Sequence, residues 1–296
     1  MPELPEVETI RRGLAPVVVG RKIVRVEVRL KKQVRGMGVP SFVKALQGRR
    51  IESLGRRAKF LLFGLDKGLT LLGHLGMSGQ ISYWDHKKTD TSSFQVSPLT
   101  GLQRSPGQHP VDKHTHVLLH LDGGDRIQYR DIRQFGYLKL LPTEKVAQLP
   151  SLKRLGIEPL DGFTWPRFSE ALGRHRGMLK ALLLNQAAVV GLGNIYADEA
   201  CFRSGLHPRQ RVERLKEPQR RALFEAIPAV LNQALANKGT TLMDYRTSDG
   251  GYGLNQESLQ AYGRSGEPCL KCGTELSKIQ VSQRTTVFCR HCQKLR

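Results

Sequence analysis

Acidic residues are scarce in this chain. Its 296 residues include 26 Asp and Glu against 47 Lys and Arg, which leaves a formal net charge of +21 at pH 7. Such a balance predicts a polyanionic partner, for which nucleic acid is the obvious candidate. The chain length favours two domains.

Long apolar runs are also missing. The sequence contains no stretch of about 18 or more apolar residues and no signal peptide, so it predicts neither a membrane-spanning helix nor secretion. We therefore expect a soluble, intracellular protein, although an anionic membrane surface would attract the same charge. Aromatic residues make up only 6%, but hydrophobic residues make up 39%, which is enough for packed cores and argues against disorder.

Cysteine is rare, and its placement is informative. Four of the five cysteines form two CxxC pairs: Cys269, Cys272, Cys289 and Cys292. This spacing is typical of a structural zinc site with four thiolate ligands, whereas two disulfides are disfavoured in a chain that is not secreted. His291 could replace Cys292 as a ligand, although the spacing favours the thiol. Cys201 is expected to be a small buried residue on a helix.

The first half of the chain has the pattern of a helix followed by many strands. Residues 7–14 keep one helical face apolar, and then Val24, Val26 and Val28 alternate with charged residues, which predicts a half-buried strand. Further short runs, separated by Gly and Asp turns, predict strands at 60–65, 69–72, 80–83, 116–121, 127–129 and 137–141. This series indicates an antiparallel sandwich or barrel, with the first helix packed against it.

Helical patterns follow after residue 142. We expect helices at 166–174, 178–185, 194–204 and 217–237, with Pro228 kinking the last helix or ending it early. Residues 150–162 have the composition of a linker, and residues 87–111 that of a long polar surface loop. The loop at 191–194 lacks the third glycine of a dinucleotide fingerprint, but a glycine loop before a helix can bind phosphate through backbone N–H groups.

The amino terminus has a chemical signature of its own. Removal of Met1 would leave Pro2 with a free secondary amine, and α-amino groups titrate near pH ~8. An unprotonated amine can attack an electrophilic sugar carbon and form an iminium. Glu3 is adjacent and Glu6 lies one helical turn on, so both carboxylates are expected to face the substrate. The alternative is an ordinary helix start, where proline and glutamate are both favourable.

The stretch PELPEVET at residues 2–9 resembles the amino terminus of the bacterial formamidopyrimidine-DNA glycosylases, and the resemblance runs nearly end to end. It implies a bifunctional DNA glycosylase and AP lyase that removes 8-oxoguanine and formamidopyrimidines through a Pro2 Schiff base followed by β,δ-elimination. The implied fold is α+β and multidomain, with an N-terminal antiparallel β-sandwich and flanking helices, a helical helix-two-turn-helix domain and a zinc-finger hairpin. We place the domains at 1–142, 163–260 and 261–296, with a linker at 143–162.

The same resemblance implies four catalytic residues. Pro2 would be the nucleophile and Glu3 the acid/base. Lys59 ends an Arg-Arg-Ala-Lys segment whose lysine lies near the nucleophile in that family, although its composition alone suggests a solvated strand start. Arg284, in the predicted tip of the zinc-finger hairpin, would bind a phosphate beside the lesion and assist elimination.

DNA contacts are implied at further positions. Met77, Arg133 and Phe135 resemble a trio that fills the space left by an extruded base, although a Met or Phe there would ordinarily belong to a core. Gln134 replaces a basic residue that relatives often carry. Histidine replaces one member of the basic pair at 175–176, which would make that phosphate contact pH-sensitive. The full candidate set is Glu6, Met77, His114, Arg133, Phe135, His175, Arg176 and Asn194.

We expect one structural Zn²⁺ and no redox cofactor. The expected partner is double-stranded DNA with oxidised bases or abasic sites, bound by a monomer in the bacterial cytoplasm, associated with the nucleoid. Two alternatives stay open. A sister family resembling endonuclease VIII prefers oxidised pyrimidines and differs at the residues that here are Leu4–Val7. A non-catalytic zinc-finger DNA-binding protein would share the charge and the zinc site but would not need a processed Pro2 beside Glu3.

Overall fold

The computed structural model describes residues 2–87, 95–96, 103–104 and 111–295. The chain divides into two compact units: residues 1–153 with 237–254, and residues 154–236 with 255–296. The segment 237–254 therefore belongs with the first unit, although the sequence-based domain bounds placed it in the second. Most of the predicted loop at 87–111 lies outside the described residues.

The first unit contains the predicted sandwich. Its elements are α1 (Leu4–Val18), β1 (Ile23–Val28), β2 (Val34–Arg35), α2 (Val39–Leu46), β3 (Ile51–Arg57), β4 (Phe60–Leu65), β5 (Leu69–His74), β6 (Gly79–Trp84), β7 (Gln95–Val96), β8 (Gln103–Arg104), β9 (Thr115–Leu121), β10 (Arg126–Asp131), β11 (Tyr137–Pro142) and α3 (Pro150–Lys153). Two sheets have the strand orders β1-β9-β10-β6 and β2-β11-β5-β4-β3, and all their pairs are antiparallel except β2 with β11. A further pair joins β7 and β8.

One apolar core joins α1 to both large sheets. Val7, Ile10 and Leu14 are fully buried in it, as the helical period of the sequence predicted. Burial of each such side chain stabilises the fold by roughly 1.5–3 kcal/mol. The core therefore fixes α1 against the sheets, and with it the position of the amino terminus.

The expected alternation in β1 is wrong at Val24. The register against β9 shifts between Ile23 and Arg25, so Val24 is an extra residue in a bulge. Val24 is 44% exposed, whereas Val26 is buried. A bulge changes which side chains face the core, and the apolar pattern does not reveal it.

The second unit is helical and ends in a hairpin. Its elements are α4 (Trp165–Gly173), α5 (Leu179–Leu184), α6 (Asn194–Arg203), α7 (Glu217–Ala236), β12 (Leu276–Val281) and β13 (Arg284–Cys289). Pro228 does not end α7 early, because the helix continues to Ala236. Three apolar residues near the proline in α7 are buried, and their burial offsets the hydrogen bond that Pro228 cannot donate: Ile227, Val230 and Leu231. Among the described helices, none combines the length and apolar character needed to cross a bilayer.

Candidate active site and nucleic-acid interface

The amino terminus is held by a capping box at the start of α1. Glu3 is the N-cap, and its backbone N–H donates to Glu6 Oε2 at 2.8 Å. Pro2 is buried, and it is joined by one peptide bond to a residue whose main chain is fixed. The geometry therefore places the predicted nucleophile and the carboxylate of Glu3 on an anchored stretch of backbone.

Glu6 is buried, and its carboxylate joins the start of α1 to a segment more than 200 residues later in the chain. It is only 2% exposed, and its second oxygen, Oε1, accepts a hydrogen bond from the Thr240 N–H at 2.7 Å. Tyr245, in the same returning segment, donates from its hydroxyl to the Lys238 carbonyl at 2.9 Å. This arrangement differs from the expectation that the carboxylates of Glu3 and Glu6 both face a substrate, because backbone N–H groups engage both oxygens of Glu6.

The turn that carries Lys59 is held next to α1 by a neighbouring arginine. Lys59 is buried in the two-residue turn between β3 and β4, where Ala58 adopts a φ of 50°. Arg56 closes the turn by donating to the Ala58 carbonyl at 2.9 Å, and its Nε pairs with Glu8 of α1 at 3.0 Å. An ion pair thus ties this turn to the second helical turn of α1.

His74 is a neighbour of Lys59 that the sequence did not single out. Burial, the charge of Lys59 and the charge of Arg35 lower the pKa of His74 to about 4, so its imidazole is neutral near pH 7. The His74 Nδ1 accepts the Gly76 N–H at 3.2 Å, which leaves the proton on Nε2. The ring lies beside the turn of Lys59, because His74 of β5 pairs with Phe60 of β4, the residue that follows Lys59.

A buried carboxylate joins the loops of Met77 and Phe135. Asp131 is fully buried and accepts hydrogen bonds from Ser78 Oγ at 2.6 Å and from the Gly136 N–H at 2.8 Å. The backbones approach so closely that a Cβ on Gly76 would lie 2.6 Å from the Gly136 nitrogen, and Gly76 also has a φ of +58°. Only glycine fits there.

The predicted wedge residues stand on these linked loops. Phe135 is 55% exposed, and the guanidinium carbon of exposed Arg133 lies 5.4 Å from the centre of its ring. Met77 is half-buried. Phe135 is therefore not a core residue, and the two hydrogen-bonded loops present an aromatic ring and a cation at the surface.

The loop before β9 positions His114. The backbone N–H of His114 donates to Asp112 Oδ1 at 3.0 Å, and Arg130 donates to Asp112 Oδ2 from two nitrogens at 3.0 and 2.8 Å. Burial raises the pKa of Asp112, but the Arg130 contacts outweigh it and lower the value to about 2. The half-buried His114 is thus held by its main chain, and its ring is not part of this pair.

In the second unit, Asn194 and the hairpin turn are joined directly. Asn194 is the first residue of α6, and its Nδ2 donates to the Thr285 carbonyl at 3.1 Å. Arg284, the preceding residue, begins β13 and is exposed. The structure therefore brings together two candidate phosphate ligands that are 90 residues apart in the numbering.

Both ring nitrogens of His175 have partners within the second unit. Its Nδ1 bonds to the Ala171 carbonyl at 2.7 Å, and its Nε2 to the Asn185 side-chain nitrogen at 3.2 Å. Because a carbonyl only accepts and an amide nitrogen only donates, Nδ1 carries the proton of a neutral ring. Arg176 is exposed. The pH-sensitive phosphate contact at this pair stays a prediction.

The four cysteines of the CxxC pairs form a site that fits zinc. Their sulfurs all lie within 4.8 Å of one another, with Cys269 to Cys292 at 4.0 Å and Cys272 to Cys289 at 3.5 Å. Four Zn–S bonds of about 2.3 Å in a tetrahedron require sulfurs about 3.8 Å apart. The site therefore fits one structural Zn²⁺. Cys201 is buried apart from these four cysteines.

Three family models match this chain. The formamidopyrimidine-DNA glycosylase N-terminal domain matches residues 1–138, the formamidopyrimidine-DNA glycosylase H2TH domain matches residues 155–245, and the zinc finger found in FPG and IleRS matches residues 266–295. The chain belongs to the formamidopyrimidine-DNA glycosylase family.

Formamidopyrimidine-DNA glycosylases from other bacteria match the sequence of this chain over nearly its full length. The formamidopyrimidine-DNA glycosylases of Heliobacterium modesticaldum and Desulfitobacterium hafniense are 41% and 40% identical, and each match covers 99% of this chain and 100% of the relative. A crystal structure of a Lactococcus lactis FPG mutant with Fapy-dG-containing DNA matches with a TM-score of 0.85 and 33% identity, covering 99% of this chain and 100% of that one.

Membership of the formamidopyrimidine-DNA glycosylase family confirms the resemblance seen in residues 2–9 and the predicted fold. The three matched models correspond to the sandwich, the helix-two-turn-helix region and the zinc-finger hairpin. The alternative of a sister family and that of a non-catalytic zinc-finger protein gain no support from these matches.

Proposed function

We propose that this member of the family is a base-excision-repair DNA glycosylase with AP-lyase activity, which removes oxidised purines, chiefly 8-oxoguanine and formamidopyrimidines, from double-stranded DNA. The anchored Pro2–Glu3 pair at the start of α1 is the observation that carries this proposal. Solved structures of the Lactococcus lactis relative hold DNA with Fapy-dG and with an abasic site, which supports these substrates, and another holds DNA with an oxidised pyrimidine.

Base removal begins at the terminal amine. With Met1 removed, the lone pair of the Pro2 nitrogen attacks the deoxyribose C1′, and the bond from C1′ to the base breaks. The base leaves with the electron pair of that bond and takes up a proton, while Glu3 transfers the proton at the sugar. The attacking nitrogen then loses its own proton, and the ring C1′–O4′ bond breaks as O4′ takes up the proton from Glu3. The product is an iminium that links Pro2 to an opened sugar.

Strand cleavage follows from the iminium. Its positive charge acidifies the C2′ protons, so loss of one proton expels the 3′ phosphate by β-elimination, and a second elimination expels the 5′ phosphate. Lys59 and Arg284 would stabilise the negative charge of these phosphates. No step of this sequence oxidises or reduces a group.

DNA binding requires contacts to the phosphates and side chains that occupy the space left in the base stack by the extruded nucleotide. Met77, Arg133 and Phe135 would occupy the space of the extruded nucleotide. The DNA backbone would be contacted by His114, His175, Arg176 and Asn194. Glu6 would hold Pro2 and Glu3 in place through its hydrogen bonds to the backbone. The four cysteines would hold the zinc ion that folds the hairpin of Arg284.

We also propose that the enzyme acts as a monomer on nucleoid DNA in the bacterial cytoplasm, which size-exclusion chromatography and localisation of a tagged copy would check.

Borohydride trapping tests the covalent step. Reduction during reaction with 8-oxoguanine or abasic duplex should link the protein to DNA through residue 2. Pro2→Gly keeps an amine and should retain part of the lyase activity, whereas Glu3→Gln should lose base excision. An adduct mapped to Lys59 would contradict the terminal-amine mechanism. Faster excision of thymine glycol than of 8-oxoguanine would contradict the purine preference.

A further inference from the structure

The outer edge of β13, next to Arg284, is bound by a buried ion pair. Lys180 of α5 and Asp198 of α6 are both fully buried, and the Lys180 Nζ lies 2.6 Å from Asp198 Oδ1. The other edge of β13 pairs with β12. The pair therefore lies against the hairpin strand that Arg284 begins.

The three residues that follow Arg284 all bind this ion pair. Lys180 Nζ donates to the Thr285 carbonyl at 3.1 Å and to Thr286 Oγ1 at 2.7 Å. Asp198 Oδ2 accepts the Val287 N–H at 3.1 Å. Donation to residue 285 and acceptance from residue 287 is the pattern that a neighbouring strand would supply.

A second set of bonds extends the contact to Arg284 itself. The Thr286 hydroxyl donates to the Arg284 carbonyl at 3.2 Å, and Asn194 donates to the same Thr285 carbonyl that Lys180 binds. The turn itself consists of Ser282 and Gln283, with φ values of 50° and 57°, as a tight two-residue hairpin turn requires. The backbone of Arg284 is thereby held from both sides.

Stability alone does not account for this arrangement. A buried ion pair gives little net stability relative to apolar side chains of similar size, because its attraction only offsets the loss of hydration. Its directional bonds do something that apolar contacts do not, since they fix the orientation of the strand edge they meet.

We propose that Lys180 and Asp198 are positioning residues that set the location of Arg284 for its contact with a DNA phosphate. The inference rests on the proposed function of Arg284. It adds that the precision of this contact comes from the interior of the helical unit, and that Lys180 acts through Arg284 without touching DNA.

A double-mutant cycle tests the proposal. Arg284→Ala should slow cleavage of abasic DNA by roughly ten- to hundredfold, as expected for the loss of a charge-assisted bond. Lys180→Met should cause a loss of similar size, and the double variant should be no slower than Arg284→Ala alone. Additive losses would overturn the proposal, because they would mean that Lys180 acts independently of Arg284.

Two further variants keep the result interpretable. Thr286→Val has nearly the same shape but lacks the hydroxyl between Lys180 and Arg284. It should therefore slow cleavage of abasic DNA by less than Lys180→Met does. In the Arg284→Ala background it should not slow cleavage further. Lys271 is the matched control, because its ammonium also binds α6, at the Phe202 carbonyl (3.3 Å). Lys271→Met should retain wild-type cleavage.

Structural measurements separate the possible failures. All variants should bind one zinc ion, and in Lys180→Met the Val287 amide should exchange hydrogen faster than in wild type. Unchanged exchange would overturn the proposal, and so would full activity of Arg284→Ala. The borohydride test separates failure of the proposed function from failure of the positioning role. If the wild-type enzyme forms no adduct at residue 2, the proposed function is wrong, whatever the double-mutant cycle gives.

Discussion

Met77 lies in the turn between β5 and β6, half-buried, on the loop that Asp131 links to Phe135. If it fills the space of an extruded nucleotide, Met77→Ala should lower excision from duplex DNA by more than about tenfold, since it removes stacking that offsets an unpairing cost of a few kcal/mol. Cleavage of an abasic site should fall less. Single-turnover kinetics on both substrates measures the difference.

Leu75 supplies the control for Met77. It lies two residues earlier and is buried in the core, so Leu75→Ala should cost roughly 2–5 kcal/mol of unfolding free energy, with both activities falling together. If Met77→Ala behaves in the same way as Leu75→Ala, Met77 is a core residue and the wedge assignment is wrong.

Glu8 makes stability depend on pH. Burial raises its pKa, but hydrogen bonds from Arg11, Arg12 and Arg56 outweigh burial and lower it from 4.5 to about 2. A folded pKa below the unfolded value stabilises the fold above pH 4.5, and this contribution is lost as the pH falls towards 2. Because Arg11 and Arg12 are partly exposed, solvent screening makes this stabilisation smaller than the full shift would give.

Glu8→Gln should therefore unfold more easily than wild type at pH 7, and the gap should shrink at pH 3. Denaturant titration at the two pH values measures both gaps. Glu217→Gln is the control, because Glu217 is an exposed carboxylate paired with Arg221 on α7 and should change stability by less than about 1 kcal/mol at either pH. An equal gap for Glu8→Gln at pH 3 and pH 7 would contradict the assigned pKa.

At the scale of elements, the terminal hairpin has little apolar support of its own. Its core cluster is small: Phe202, Ala261, Cys269, Leu276, Val287 and Cys289. Such a small core rarely holds a fold without a metal. Chelation of zinc, or Cys289→Ser, should unfold residues 262–296 and weaken DNA binding while the sandwich stays folded.

Metal analysis with hydrogen exchange checks the zinc prediction. Cys201→Ala is the control, because Cys201 is buried on α6 away from the four-sulfur site and its loss should leave one bound zinc ion. A metal-free protein that binds DNA with wild-type affinity would show that the zinc site is not needed to fold the hairpin.

α6 shows how a single helix connects several parts of the second unit. Glu199 is buried and accepts backbone N–H bonds from Gln260, Ala261 and Tyr262, at distances down to 2.8 Å. Burial raises the pKa of Glu199, and these donors oppose the shift. The carboxylates of α6 thus hold the start of the zinc-finger region and, through Asp198, the strand that follows Arg284.

At the scale of the whole molecule, the net charge of +21 should make DNA binding steeply dependent on salt. Each neutralised phosphate contributes about −0.9 to the slope of log K against log salt, so 6–10 contacts would lower affinity by roughly 10³–10⁵ between 50 and 200 mM salt. Arg176→Ala should lower the slope by about one if the exposed Arg176 binds a phosphate.

Arg221 is the matched control for Arg176. It is exposed and pairs with Glu217 at 2.8 Å, so Arg221→Ala should leave the slope unchanged. Fluorescence anisotropy over a salt series measures all three slopes. An unchanged slope in Arg176→Ala would remove Arg176 from the set of phosphate ligands.

Several features of this protein follow from the sequence alone, because short-range patterns encode them. The apolar period of α1, the CxxC spacing and the excess of Lys and Arg each depend on residues that are close together or simply counted. The PELPEVET stretch predicted the family, and the matches over the full chain confirmed it.

Only the tertiary structure decided the features that depend on distant partners. Glu6 would suit any helix start, but its bond to Thr240 joins residues 234 positions apart. Lys180 would ordinarily be assigned to a solvated surface, yet Asp198 and the edge of β13 bury it completely. The physical reason is that a charged side chain is buried only where its partners are already in place, and the packing of whole elements determines that place.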